Sequence, residues 1–138
     1  MTKRLVQKLW RRINWARLWR VGGWLGIAIT LALSLGPPTV GEDESQLDKL
    51  AHLAGYALLM FWWAQLITRQ RWKLAAAIML FGVLIEGLQG LTPDRLPDVL
   101  DALANAGGVL LGWFAARLLP NLPQRLSARS ATLPAPHR

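Results

Sequence analysis

Apolar residues in this chain gather into four long runs, and the polar positions between them are short and punctuated. Residues 21–40 carry no charge over 20 positions, about 30 Å as a helix and so the depth of one bilayer core. Pro37-Pro38 predicts an irregular end for that helix. A second run covers residues 50–68, a third 74–91 and a fourth 98–119, where Pro120 closes it. The breaks are a basic turn, Arg69-Gln-Arg-Trp-Lys73, and a turn rich in proline, Thr92-Pro-Asp-Arg-Leu-Pro97. The pattern predicts an all-α protein: a four-helix transmembrane bundle over residues 21–119.

The flanks differ from the runs. Residues 1–20 interleave Lys3, Arg4, Lys8, Arg11, Arg12, Arg17 and Arg20 with Leu5, Val6, Leu9, Trp10, Ile13 and Trp19. The apolar positions recur every three or four residues, which suits a basic amphipathic helix on an anionic leaflet. A merely solvated positive flank has the same composition, so both readings stand. A basic start before an apolar stretch is also the layout of a signal peptide. The length of the uncharged run and the want of a small-x-small cleavage site favour a retained span instead. Residues 120–138, rich in Pro, Ser and Arg, are expected to be a disordered tail.

Polar side chains inside the runs are few and sit near their ends. Asp48, His52 and Tyr56 recur at i, i+4, i+8, so they share one helix face. Glu86 ends a 12-residue uncharged stretch from position 74, with Gln89 one turn on. Asp98, Asp101 and Asn105 fall at i, i+3, i+7, and Gly108-x-x-x-Gly112 continues their face. Such a glycine pair lets a helix approach closely, within one chain or between two. With Lys49 and Arg95, these residues all come within about two turns of one membrane face if the chain crosses four times.

Charge agrees with that topology. The net charge of +8 invites a nucleic-acid reading. Yet of 16 basic residues seven lie in positions 1–20, three in residues 69–73 and four from Arg117 onward, all in regions without an acid. All eight acids fall between Glu42 and Asp48, at Glu86, or between Asp94 and Asp101. Alternation of this kind is what the positive-inside rule gives a multi-pass protein of the inner (cytoplasmic) membrane, with both termini cytoplasmic and the acids outside. It speaks against a nucleic-acid partner and for membrane lipids. The 53 % hydrophobic content and eight Trp fit one membrane domain. The absence of cysteine excludes disulfide and thiolate chemistry.

Ionisable groups beside lipid are costly, about 2.5–3.5 kcal/mol each at mid-bilayer, and so mark candidate sites. Glu86 is the foremost, since it must find a cation or water, and Asp101 follows. His52 with Glu86 and Asp101 could perform acid–base catalysis on a lipid-linked substrate; His52 is as readily a structural hydrogen bonder. Lys49 and Asp98 suit an internal salt-bridge lattice. The planar fork of Arg95 suits a phosphate head-group. Gln89 and Asn105 suit interhelical hydrogen bonds, and Tyr56 an interfacial anchor. A metal variant of the enzyme would use His52, Glu86, Asp98 or Asp101 as N/O ligands for a divalent ion. One His in the cluster and no Cys give zinc little support, and no metal or cofactor is expected. No Gly-x-Ser-x-Gly element occurs, and Ser34, Ser45, Ser127 and Ser130 are placed outside the cluster.

Together these residues resemble the VanZ-like family of small bacterial membrane proteins. The resemblance is carried by Asp48-Lys49-x-x-His52-x-x-x-Tyr56, Glu86-x-x-Gln89, and Arg95-x-x-Asp98-x-x-Asp101-x-x-x-Asn105-x-x-Gly108-x-x-x-Gly112, across residues 47–113. It implies a multi-helix membrane fold at the cell envelope and, through the family's namesake, a link to resistance to the glycopeptide teicoplanin. Three functions then compete. The first is a pocket for a lipid head-group or cell-wall precursor, formed by Asp48, Lys49, Tyr56, Gln89, Arg95, Asp98 and Asn105. The second is an acid–base enzyme using His52, Glu86 and Asp101. The third is an accessory subunit bound to another membrane protein, in which the polar cluster only holds helices together.

Overall fold

A computed structural model of the chain describes residues 13–36, 44–91 and 99–132. Its elements are α1 (Trp15–Leu35), α2 (Glu44–Ala64), α3 (Arg71–Gln89), α4 (Val99–Leu118) and a short α5 (Leu122–Ala131). The protein is all-helical, and no strand occurs among the described residues. α1, α3 and the segment Val99–Ala131, which contains α4, are long and apolar enough to cross a membrane. α2 is as long, 21 residues; its polar first half, with Asp48, Lys49 and His52, lowers its hydropathy.

The helices run up and down. One end is tied by the hydrogen bonds of Trp19 with Trp62, Arg71 with Ala64 and Ala116, and Asn121 with Gln65. The other end is tied by those of Gln89 with Ser34 and His52 with Asn105. α2 is the central helix. It supplies Tyr56, Met60 and Ala64 to the core, against Ala75 and Ile78 of α3 and Val109 and Ala116 of α4. The perimeter is apolar and open: Leu33, Leu80, Val83, Leu103, Leu110 and Phe114 are all well exposed. α1 buries only Gly23 and Ser34 out of 21 residues. An apolar surface this continuous fits lipid rather than water.

Close approach of α2 and α4 depends on two glycines. A Cβ at Gly108 would meet the Leu53 carbonyl oxygen, and one at Gly112 the Ala57 carbonyl oxygen and Met60 Cβ, the latter at 2.9 Å. The glycine pair therefore packs within the chain.

At the opposite end from His52, tryptophans join α1 to α2. Trp19 stacks on Trp62 with ring centroids 4.1 Å apart, and each indole N–H donates to the other residue's carbonyl, at 3.0 and 2.7 Å. Gly22 and Gly23 leave room for the Trp62 and Trp63 rings. Two boundaries expected from the sequence move. α1 starts at Trp15, so Arg17 and Arg20 belong to it; nothing in residues 15–21 breaks a helix, and the Asn14 side chain caps its start by accepting from Arg17 N–H. The first part of the basic segment, residues 1–12, lies outside the described residues.

The tail is not disordered throughout, because residues 122–131 form α5. Asn121 caps it by accepting from Gln124 N–H, and Pro123 sits in its first turn. Tertiary bonds hold it: Leu122 N–H donates to Gln65 Oε1 at 2.9 Å, and Trp15 Nε1–H to Ser130 Oγ at 2.9 Å. Composition alone carries no record of those partners.

Candidate functional site

The polar face of α2 meets the polar face of α4 at the end where α1 and α3 also finish. His52 is buried, 8 % exposed, and its Nδ1 lies 3.1 Å from Asn105 Oδ1. One turn earlier on α2, Asp48 Oδ1 stands 3.9 Å from His52 Nε2. Lys49 Nζ lies 3.8 Å from Asp101 Oδ1, an ion pair across the α2–α4 seam. The spacing i, i+4, i+8 brings Tyr56 below His52, their rings stacked at 6.4 Å. Gly82 on α3 makes space there. A Cβ at Gly82 would lie 3.2 Å from the Tyr56 hydroxyl and 3.3 Å from Asn105 Nδ2.

The structure thus brings together Asp48, Lys49, His52, Tyr56, Asp101 and Asn105. Ligand atoms of Asp48, His52 and Asp101 all lie within 4.8 Å of one another. Glu86 is outside that trio. It is half-buried on α3, one turn past Gly82. Gln89 is buried and donates through Nε2 to the Ser34 carbonyl at 2.6 Å, so it fastens α3 to α1. Arg95 and Asp98 lie outside the described residues.

A cleft of about 100 Å³ opens between α1 and α2, lined by Thr30, Leu33, Ser34, Asp48, His52 and Tyr56, among others. Two of these residues escape the sequence reading. Ser34, placed there outside the cluster, lies beside it, and Thr30 is one turn away on the same face. A signal exists: Thr30 and Ser34 are the two hydroxyl residues of α1, at i, i+4 within its uncharged stretch from Val21 onward. At this volume the cleft takes a few waters, an ion or a phosphate-sized group, and falls short of the 300–1,000 Å³ usual for a whole small-molecule site.

Compared with known sequences, the chain matches the family model described as VanZ/LLP1 over residues 3–120. Searches of the curated proteins and of the solved structures find no match to it.

Proposed function

The chain belongs to the VanZ/LLP1 family, and from that premise and the geometry of the cluster we propose that it is a multi-pass protein of the cytoplasmic membrane. Its outward-facing polar site binds the phosphate-bearing head-group of a lipid or of a lipid-linked envelope precursor. The observation that carries this is the cleft: a polar wall of Thr30, Ser34, Asp48, His52 and Tyr56 in a bundle whose perimeter is otherwise apolar. Its orientation follows from charge. Among the described residues Asp48, Glu86, Asp101 and Lys49 share the cleft end, whereas Arg17, Arg20, Arg69, Arg71, Lys73, Arg117, Arg125 and Arg129 share the other. Basic loops stay in the cytoplasm, so the cleft faces out.

A head-group enters from the lipid side between α1 and α2 while its acyl chains stay against the exposed leucines. Lys49 supplies the attraction for phosphate, and Asn105 and Tyr56 supply directional hydrogen bonds. Acids outnumber cations here, so the ligand brings hydroxyl or amine donors of its own or arrives with a cation. The teicoplanin link implied by the family resemblance would then act through occupancy of this site. Acid–base chemistry by His52 and Asp101, with Glu86 on the neighbouring α3, is a second reading, favoured by the proximity of His52 and Asp101.

The experiment is native mass spectrometry of the full chain purified in mild detergent. Wild type retains a phosphate-bearing lipid, and His52→Ala and Lys49→Ala each lose most of it while membrane abundance stays within about twofold, as expected for side chains whose chief role is contact with ligand. Equal retention in all three proteins contradicts the reading. Loss of lipid only in step with loss of abundance makes the cluster a scaffold.

A further inference from the structure

Two carboxylates, Asp48 in the cleft wall and Asp101 across the α2–α4 seam, pose a chemical problem for a phosphate ligand, and the hydrogen bonding of His52 suggests how it is met. A carboxamide oxygen only accepts, so the 3.1 Å approach of His52 Nδ1 to Asn105 Oδ1 places the ring proton on Nδ1. In the neutral ring Nε2 then presents a lone pair, and it does so towards Asp48 Oδ1, 3.9 Å away and beyond hydrogen-bond range. Asp101 brings a second carboxylate to the same point, within the 4.8 Å spread of the three ligand atoms. Three electron-pair donors converge on one place.

A separate observation comes from Tyr56. It lines the same cleft, is 1 % exposed, and its hydroxyl has no hydrogen-bond partner among the described residues. A buried hydroxyl without an acceptor is costly. The hydroxyl lies beside Gly82 of α3 and Asn105 Nδ2, on the inner side of the cluster, and a water or ligand oxygen reaching that point gives it one.

We infer that Asp48, His52 and Asp101 bind a divalent cation, with Asn105 as the positioning residue that holds the imidazole in the ligating tautomer. An imidazole N–H held by a second residue is the usual arrangement behind a metal-bound histidine. One imidazole with two carboxylates is a mixed N/O set, which suits Mn²⁺, Fe²⁺ or Zn²⁺ better than a thiolate-seeking ion. The sequence suggests His52, Glu86, Asp98 or Asp101 as the ligands of any metal variant and expects none; the geometry gathers His52 and Asp101 with Asp48 instead. Lys49, 30 % exposed on a long flexible stem, leaves Asp101 when the ion arrives, because the two cations repel. Its ammonium then points to the cleft mouth. The ion and Lys49 together make the cleft beside these carboxylates receptive to phosphate, and this last step rests on the head-group reading above, whereas the ion site does not.

The test is a titration of the purified, chelator-stripped full chain with MnCl2, read by the electron paramagnetic resonance of free Mn²⁺. Wild type takes up one saturable equivalent. Asp48→Asn, His52→Ala and Asp101→Asn each weaken it at least about tenfold, and Asn105→Leu, which removes no ligand atom, weakens it about 10- to 100-fold. Arg129→Ala, at the other end, leaves it unchanged. Asp48 is exposed on the first turns of α2, so its variant folds even if His52→Ala does not, and circular dichroism confirms helicity in each. No saturable equivalent in wild type, or unchanged affinity in both Asp48→Asn and Asp101→Asn, overturns the ion site. Lipid retention is scored separately with and without EDTA. Mn²⁺ binding with EDTA-insensitive retention overturns the bridging role alone, and leaves the head-group reading in place.

Discussion

Gly112→Leu is expected to remove most of the protein from the membrane, and Gly108→Ala to lower the melting temperature of the detergent-solubilised protein. The physical reason is the nature of the obstacle. A Cβ at either position runs into a backbone carbonyl of α2, that of Leu53 or of Ala57, which cannot rotate aside as a side chain can. The helices must separate, and the seam that opens is the one that holds His52 against Asn105. Overpacking in a well-filled core costs about 1–3 kcal/mol and sometimes more. A leucine forced against a backbone carbonyl exceeds that range, and so takes a large share of a total stability on the order of 5–15 kcal/mol. Gly87→Ala is the control, since a Cβ there meets nothing within 4 Å. Thermal unfolding followed by circular dichroism separates the cases: Gly87→Ala at or slightly above wild type, Gly108→Ala well below it. A Gly112→Leu protein as abundant and as stable as wild type would show that α2 and α4 do not pack this way.

The second large effect is at Arg71. Its guanidinium donates to the Ala64 carbonyl at 3.0 Å and to the Ala116 carbonyl at 3.1 Å, in the last turns of α2 and α4. Carbonyls at a helix C-terminus have no intrahelical partner and carry partial negative charge, so one planar cation serves two helix ends at once. Hydrogen bonds to a charged donor contribute about 1.5–3 kcal/mol each, and the half-exposed position reduces that, so Arg71→Ala costs roughly 3 kcal/mol. Arg71→Lys recovers only part, because a single ammonium cannot span both carbonyls with the fork's geometry. The ordering wild type above Lys above Ala in denaturation midpoint is the expected outcome. Equal midpoints for Lys and Ala would mean that charge and fork contribute nothing here.

Hydropathy makes the long helices legible, because an apolar run of bilayer length leaves few alternatives. Spacing also identifies one face: Asp48, His52 and Tyr56 along α2, and Asp101 with Asn105, Gly108 and Gly112 along α4. What spacing does not contain is the rotation of one face against another. Glu86 illustrates this. A charge at the end of an apolar run points to the centre of a site, yet α3 turns Gly82 towards Tyr56 and Asn105, and leaves the carboxylate outside the Asp48, His52 and Asp101 trio. Gln89, read both as an interhelical hydrogen bonder and as a pocket residue, makes the interhelical bond, to the Ser34 carbonyl. The i, i+4 pair of Thr30 and Ser34 is a weak signal, because hydroxyls in an apolar run are common and satisfy themselves locally. α5 is hidden for another reason, since its order depends on Gln65 and Trp15, distant in sequence. The start of α1 is displaced because charge is a poor boundary marker, and Arg17 and Arg20 fit a helix well.

Head-group binding requires the acidic end of the bundle to face the exterior, and the cysteine-free chain allows that to be measured cleanly. Single substitutions Lys49→Cys and Arg129→Cys, in intact cells, are exposed to a maleimide that cannot cross the membrane. Position 49 is predicted to label at once and position 129 only after the cells are permeabilised. Labelling of position 129 in intact cells, with position 49 protected until permeabilisation, would turn the cleft towards the cytoplasm and contradict that orientation.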